Sequence, residues 1–232
     1  MDPFGAKAHA FVDDLAAPVL DDGDRHHLAR VLRLRTGDAL TVGDGRGSWR
    51  ACRFGPDLEP VGDVVRDAAP SPPLGVAFAL VKGDRPELVV QKLTELGIDR
   101  IVPFVSARSV VRWDEAKAAR AHERLNAVAR EAAMQSRRTW LPTVEPLATF
   151  ADVAVAGAAL CERDGAPLSL ATPTLLVGPE GGWAPEELAA VLPTVALGPT
   201  VLRAETAAIA AASLLTALRA RILMDLQDRY SQ

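Results

Sequence analysis

The rhythm of apolar and polar positions changes once along this chain, near residue 70. Upstream, short alternating runs surround a turn rich in glycine and aspartate: Ala39-Leu40-Thr41-Val42, then Gly43-Asp44-Gly45-Arg46-Gly47, then Ser48-Trp49-Arg50-Ala51-Cys52-Arg53-Phe54. Alternation on both sides of such a turn predicts a β-hairpin. Asp24 to Leu34 reads as a short helix with Leu28, Val31 and Leu32 on one face, and Gly37-Asp38 turns the chain into the hairpin. Residues 1–69 are therefore expected to form a small β-barrel with one helix. In Ala69-Pro70-Ser71-Pro72-Pro73, three prolines in four positions argue against a helix or inner strand and favour a stiff extended linker.

Beyond the linker, apolar runs of strand length alternate with stretches of helical length. Strands are expected at Gly75–Val81, Ile101–Val105, Ala158–Cys161, Leu175–Val177 and Val195–Leu197. One helix is expected at Pro86–Leu96, with proline in its first turn and Gly97 just past its end. Others are expected from the cap Asp114 to about Gln135, at Pro185–Leu192 and at Ala204–Leu226. This alternation predicts an α/β domain over residues 74–232, built on a mostly parallel sheet.

Charge and cysteine content narrow the chemistry. Lys and Arg number 26 against 30 Asp and Glu, a formal net charge of -4, so a polyanionic partner would need a local basic face. Arg100 to Trp140 supplies one candidate, because Arg100, Arg108, Arg112, Lys117, Arg120, Arg124, Arg130, Arg137 and Arg138 there outnumber the acids. Within the helix these are equally ordinary solvated charges; Arg137-Arg138 falls after it. Cys52 and Cys161 lie far apart with no metal-ligand spacing, so two reduced thiols and no metal are expected. Adjacent His26-His27 have no further ligands in sequence. The first residues show no signal-peptide pattern, and no apolar run reaches a membrane span. A soluble cytoplasmic protein is the expectation.

The most informative stretch is Leu175-Leu176-Val177-Gly178-Pro179-Glu180-Gly181-Gly182-Trp183-Ala184-Pro185. A buried strand ends in a glycine-rich loop that leads into a helix, the place where open α/β folds hold ligands. It is neither GxxxxGK[ST] nor GxGxxG, and Glu180 suits a cationic or hydroxyl-bearing ligand better than phosphate. Alone, the loop is equally a turn that needs glycine for its shape. A second loop, Val195 to Ala207, repeats the strand, Gly-Pro turn and helix start. Glu205 and Thr206 there suit a helix N-terminus, but Arg203 opposes its dipole, the kind of local conflict expected at a functional site.

Together, LLVGPEGGW (175–183) and LGPTVLRAETA (197–207) resemble the two C-terminal motifs of the RsmE family of SPOUT methyltransferases. RHHLARVLRLRTGD (25–38) and ALVKGDRPELVVQKLTELGIDRIVPFVSARSVV (79–111) are similar to the family's remaining blocks, in the same order. The resemblance implies a SPOUT α/β trefoil-knot domain preceded by a PUA-like RNA-binding barrel. It implies methylation of uridine N3 in 16S ribosomal RNA, with S-adenosylmethionine as cofactor and a homodimer formed through the knot face. Leu176, Val177, Gly178, Pro179, Glu180 and Gly181 would bind the cofactor from the first loop. Leu197 and Gly198, then Leu202, Arg203, Ala204, Thr206 and Ala207, would bind it from the second. RNA would meet Arg25, His26, Arg30 and Arg33 in the first domain, and Lys82, Arg108, Arg112, Gln135, Arg137 and Arg138 beyond it. The family reads glutamate where this chain has Met134, while Gln135, Ser136 and Arg138 match.

Uracil N3 is a poor nucleophile until its proton leaves, so the protein's main electrostatic task is to stabilise negative charge on O2, N3 and O4. Arg203 is the candidate for that task, with Arg138 from elsewhere in the dimer as a second. Glu205 and Glu180 are candidate bases, each with an alternative role in a cap or loop. The target base must be unpaired or flipped out; Trp49, Trp113 and Trp140 are available to stack on it or to pack in a core. The competing readings are a nucleotide-dependent α/β enzyme, for which a phosphate-binding motif is missing, a non-catalytic RNA-binding or ribosome-assembly protein, and a SPOUT methyltransferase with another RNA target.

Overall fold

The structure, a computed structural model, describes residues 5–83, 85–190 and 192–223. The chain divides into two compact units. The first holds the chain up to Ala69 together with Arg130–Leu141; the second holds Pro70–Ala129 and the described chain from Pro142 on. The contribution of 130–141 to the first unit departs from the contiguous domains expected from the linker. It arises because Phe11, Ala133 and Met134 share a small buried cluster, with Leu141 packed against it.

In the first unit, β1 (His9–Phe11), β2 (Ala39–Gly43), β3 (Ser48–Arg53) and β4 (Glu59–Arg66) form a sheet in that order. β1 pairs parallel to β2, and the β2–β3 hairpin is antiparallel as its alternation predicts. β1 and β4 carried no clear sequence signal: β1 is only three residues long, and most of β4 is exposed. The helix expected over 24–34 is instead α1 (Asp22–His26) followed by a π-helical turn at His27–Val31. There the Leu32 N–H donates to the His27 carbonyl five residues back, at 3.1 Å. The wider turn rotates the apolar stripe, so Leu28 is buried at 1% exposure while Val31 and Leu32 face solvent at 61% and 48%.

The second unit is a seven-stranded parallel sheet. Its strands are β5 (Gly75–Ala79), β6 (Arg100–Val105), β7 (Thr143–Val144), β8 (Ala148–Thr149), β9 (Ala158–Ala166), β10 (Thr174–Val177) and β11 (Thr194–Val195). They lie in the order β11-β9-β10-β5-β6-β7, with β8 also on β6. Its helices are α2 (Arg85–Leu96), α3 (Glu115–Gln135), α4 (Phe150–Val153), α5 (Pro185–Leu188) and α6 (Ala204–Arg219).

Both faces of this sheet are covered, which is why its strands read as unbroken apolar runs. Along β5, Val76 and Phe78 pack with Val89 and Leu93 of α2 and Ala211 and Leu215 of α6. Ala77 and Ala79, pointing the other way, join Phe104, Leu160, Leu176 and Trp183. α5 stops at Leu188, short of the expected Leu192, and α6 stops at Arg219. The expected end at Leu226 lies outside the described residues. Arg219, in the last turn of α6, ion-pairs Asp99 and donates to the Gly97 carbonyl at 2.7 Å, tying α6 to the α2–β6 turn.

Candidate active site

β5 leads through α2 to β6 on one side of the sheet, whereas its neighbour β10 leads through α5 to β11 on the other. This reversal is a topological switch point, and ligands bind outside the carboxyl ends of strands at such points. A cleft of about 220 Å³ opens there. One wall is the loop after β10, with Val177, Gly178, Pro179 and Glu180. The facing wall is Leu197 and Gly198, then Leu202, Ala204 and Ala207 at the start of α6. The two loops singled out in the sequence thus line one cavity. Leu176 is fully buried in the sheet beneath it, and Gly181, Arg203 and Thr206 are exposed and stand outside the lining. Sequence reading missed Cys161, Glu162 and Arg163 of β9, together with Trp183, Thr200 and Val201. β9 brings its residues in only through sheet order, a long-range fact with no local signal.

Trp183 sets the shape of the glycine loop. It is 4% exposed, stacks on Phe104 with centroids 6.2 Å apart, and donates from Nε1 to the Cys161 carbonyl at 3.0 Å. A Cβ on Gly178 would lie 3.0 Å from Trp183 Cε2, so glycine is what lets the loop cross the indole. Burial pushes the Cys161 thiol up to about 12, with Glu162 adding to the shift. Cys161 is thus a packed wall and not a nucleophile.

Three side chains brace the loop. Glu187, 2% exposed, accepts from Ser106 Oγ at 3.0 Å, from Ala107 N at 2.9 Å and from Ala184 N at 2.9 Å. A buried carboxylate with three donors is well satisfied, and it fastens the segment after β6 to the start of α5. Arg108, carried by that segment, donates to the Gly181 carbonyl at 3.1 Å. Arg85, at the start of α2, lies 3.3 Å from Glu180 and 3.7 Å from Glu205. One guanidinium thereby joins both loops, a contact absent from the sequence expectations. Glu205 Oε2 is buried without a hydrogen bond, and the Arg85 guanidinium is the cation beside it.

The cleft can hold S-adenosylmethionine. Apolar walls at Val177, Leu197, Leu202 and Ala207 suit a flat base and a methylene chain, while Glu162 and Glu180 suit a cationic ligand. Val201, 82% exposed, adds an apolar surface that a ligand covers at a gain.

Residues 69–216 match the RNA methyltransferase domain family, and residues 20–55 match the RNA methyltransferase PUA domain. The ribosomal RNA small subunit methyltransferase E of Mycobacterium tuberculosis is 37% identical, over 91% of this chain and 92% of that protein. The chain belongs to the ribosomal RNA small subunit methyltransferase E family. Two solved structures share its fold. A putative methyltransferase from Legionella pneumophila in complex with S-adenosylmethionine aligns with TM-score 0.76 and 26% identity, covering 90% of this chain and 96% of that one. The family member from Neisseria gonorrhoeae, bound to S-adenosyl methionine, aligns with TM-score 0.73 and 26% identity, covering 91% and 97%.

Of the family's RNA-side candidates, His26, Arg30 and Arg33 are exposed around the π-helical turn. Arg25 is half-buried and donates to the Gly55 carbonyl at 2.9 Å, which commits it to holding the unit together. Gln135, Arg137 and Arg138 lie in the first unit, at and just after the end of α3. Lys82, Arg108 and Arg112 are exposed in the second. Arg33 and Arg137 have left-handed backbone, at φ 57° and 56°. Each follows a helical segment, where glycine is the easier residue, so each arginine is retained at a conformational cost of about 1 kcal/mol. Met134 is buried against Phe11, and its sulfur accepts from Arg130 at 3.4 Å. Arg130 is also paired with Asp24, at 2.6 Å. Trp49 is half-buried and donates from its ring edge to Asp67 at 3.4 Å, while Trp140 lies against Gly47. Among the described residues no cluster of three metal-ligating side chains occurs, and no helix is long and apolar enough to cross a membrane.

Proposed function

We propose that this protein transfers the methyl group of S-adenosylmethionine to N3 of an unpaired uridine in 16S ribosomal RNA. One observation carries the reading: two glycine-bearing loops, after β10 and before α6, converge on a single cleft at the carboxyl edge of a parallel sheet. The enzyme is an S-adenosylmethionine-dependent RNA methyltransferase; the uridine N3 specificity is the proposed part.

When bound, the cofactor's sulfonium supplies an electrophilic methyl group. The protein's work is to place uracil N3 in line and to stabilise the charge left when its proton departs. Arg203 suits that task. It caps α6 with extended backbone, φ -66° and ψ 154°, and is exposed between two residues of the cleft wall, Leu202 and Ala204. Glu180 and Glu205 are the candidate acceptors of the proton, and the Arg85 guanidinium lies 3.3 and 3.7 Å from them.

A knotted C-terminal region, pairing of two chains through the knot face with Arg138 reaching across, and a cytoplasmic location belong to the same proposal. Exposed Ile222, at 77%, is apolar surface on the second unit that a partner chain would cover. The first unit, through His26, Arg30 and Arg33, would grip RNA phosphates.

The test is nucleoside mass spectrometry of small-subunit rRNA from a strain lacking this gene and from its complemented parent. Loss of 3-methyluridine that the wild-type gene restores supports the proposal; unchanged 3-methyluridine refutes it. In vitro, Arg203→Ala should lower kcat by about 10²–10³ while S-adenosylhomocysteine affinity holds. Near-normal turnover would remove Arg203 from its role.

A further inference from the structure

A second cleft, of about 240 Å³, lies one strand along the same edge of the sheet. β10, β5 and β6 are consecutive parallel neighbours, so the segments that follow them emerge side by side. The segment after β10 forms the cofactor cleft. Those after β5 and β6 line the second cleft with Val81, Gly83 and Trp113, and α2 and α3 add Pro86, Lys117 and Arg124. The first turn of α2 separates the two: Arg85 reaches toward Glu180 and Glu205 of the cofactor loops, while Pro86 and Glu87 face the second cleft.

We propose that this second cleft binds an RNA nucleotide neighbouring the target, its base against Trp113 and its phosphate on Lys117. The inference rests on the reading of this chain as an enzyme that acts on RNA.

The lining has the chemistry that a single-stranded nucleotide requires. Trp113 is half-buried and presents an indole that nothing in a hydrophobic core consumes. Lys117 Nζ stands over one face of the Trp113 ring, 5.9 Å from its centroid, so a base would stack on the other face, with this long, flexible cation within reach of the nucleotide's phosphate. Glu87, a lining carboxylate that would repel RNA, is paired with Arg124 at 2.7 Å. Exposed Lys82 and Arg112 flank the cleft on the segments after β5 and β6. Stacking on an aromatic face beside cations is the general way proteins hold unpaired bases. A target base that must leave its stack to reach the cofactor cleft leaves its neighbours unstacked too, and a site one strand away is placed to receive one.

The test uses the full chain carrying Trp113→Ala, Trp113→Phe or Lys117→Gln. Binding of a short fluorescein-labelled single-stranded RNA is followed by anisotropy, and S-adenosylhomocysteine affinity by calorimetry. Trp113→Ala should weaken RNA binding about tenfold, with Tm and S-adenosylhomocysteine affinity unchanged and most of the loss restored in Trp113→Phe. Lys117→Gln should lower the slope of log Kd against log salt by about one. Unchanged RNA binding in Trp113→Ala, or a parallel loss of S-adenosylhomocysteine affinity, overturns the proposal. A Trp113-dependent RNA complex in a protein that forms no 3-methyluridine would refute the proposed reaction and leave this site standing.

Discussion

The two units use their sheets in opposite ways. In the second, every paired strand runs parallel and both faces are packed, so among the described residues a ligand reaches the sheet at its edge. Connections that leave β5 and β10 in opposite directions open a cleft there, lined by candidate cofactor residues from both loops, with Leu176, Gly181, Arg203 and Thr206 outside it. In the first unit the sheet is mixed, and its last strand, β4, is largely exposed. Its candidate functional residues sit on a π-helical turn beside the sheet. The difference teaches that topology places a concave small-molecule site, whereas a phosphate-gripping surface needs only exposed cations on a stable support.

Three measurements probe this contrast. The largest effect is expected in the first unit. His9 is 3% exposed, its Nδ1 pairs with Thr41 Oγ1 at 2.8 Å, and its Nε2 is buried without a partner. Burial, with Arg137 contributing, lowers its pKa to about 4. Between that value and the ordinary 6.5 the unfolded chain binds more protons than the folded one, so stability rises with pH across the window. Its contribution is complete above about pH 6.5 and lost as pH falls toward 4, by about 3 kcal/mol at most. Urea unfolding at a series of pH values should show that slope in the wild type and its absence in His9→Gln; equal slopes would remove His9 as the cause.

Next is Gly178→Val, in the second unit. Branched carbons at a position 3.0 Å from the Trp183 ring overpack the loop by about 2 kcal/mol. Calorimetry should find S-adenosylhomocysteine binding weakened roughly thirtyfold, while the salt-dependent RNA affinity attributed to the first unit persists. If both affinities fell together, the separation of the cofactor cleft from the surfaces that grip RNA would fail.

The smallest effect is expected from Arg85→Ala. Its guanidinium is 39% exposed and pairs at 3.3 and 3.7 Å, so solvent screening limits it to about 0.5–1 kcal/mol. The KM for S-adenosylmethionine should rise about two- to fivefold, with kcat nearly unchanged and partial recovery in Arg85→Lys. A fall in kcat at constant KM would move Arg85 from bracing the loop to acting on the uridine.

Local pattern sufficed wherever a local cause sufficed. The β2–β3 hairpin follows from alternation about Gly43–Gly47, α2 from Pro86 and Gly97, and both cleft-lining loops from glycines between a strand and a helix. It failed where neighbours distant in sequence took over. The apolar stripe of the first helix was misread because a π-helical turn adds one residue per turn and swings Val31 and Leu32 outward. β1 and β4 were invisible because a three-residue strand and a largely exposed one carry little alternation.

Sequence alone therefore determined the α/β character of the second unit, the two loops that line the cleft, and the family to which the chain belongs, because each is written in contiguous residues. Tertiary structure decided that β9 lends Cys161, Glu162 and Arg163 to the cleft, that Arg85 and Arg108 brace its glycine loop, and that the end of α3 packs with the first unit. Those outcomes depend on strand order and on pairs up to about a hundred residues apart, such as Arg85 with Glu180 and Arg130 with Asp24. No local periodicity records such a pair, because chain folding sets the separation of its members and their own neighbours do not.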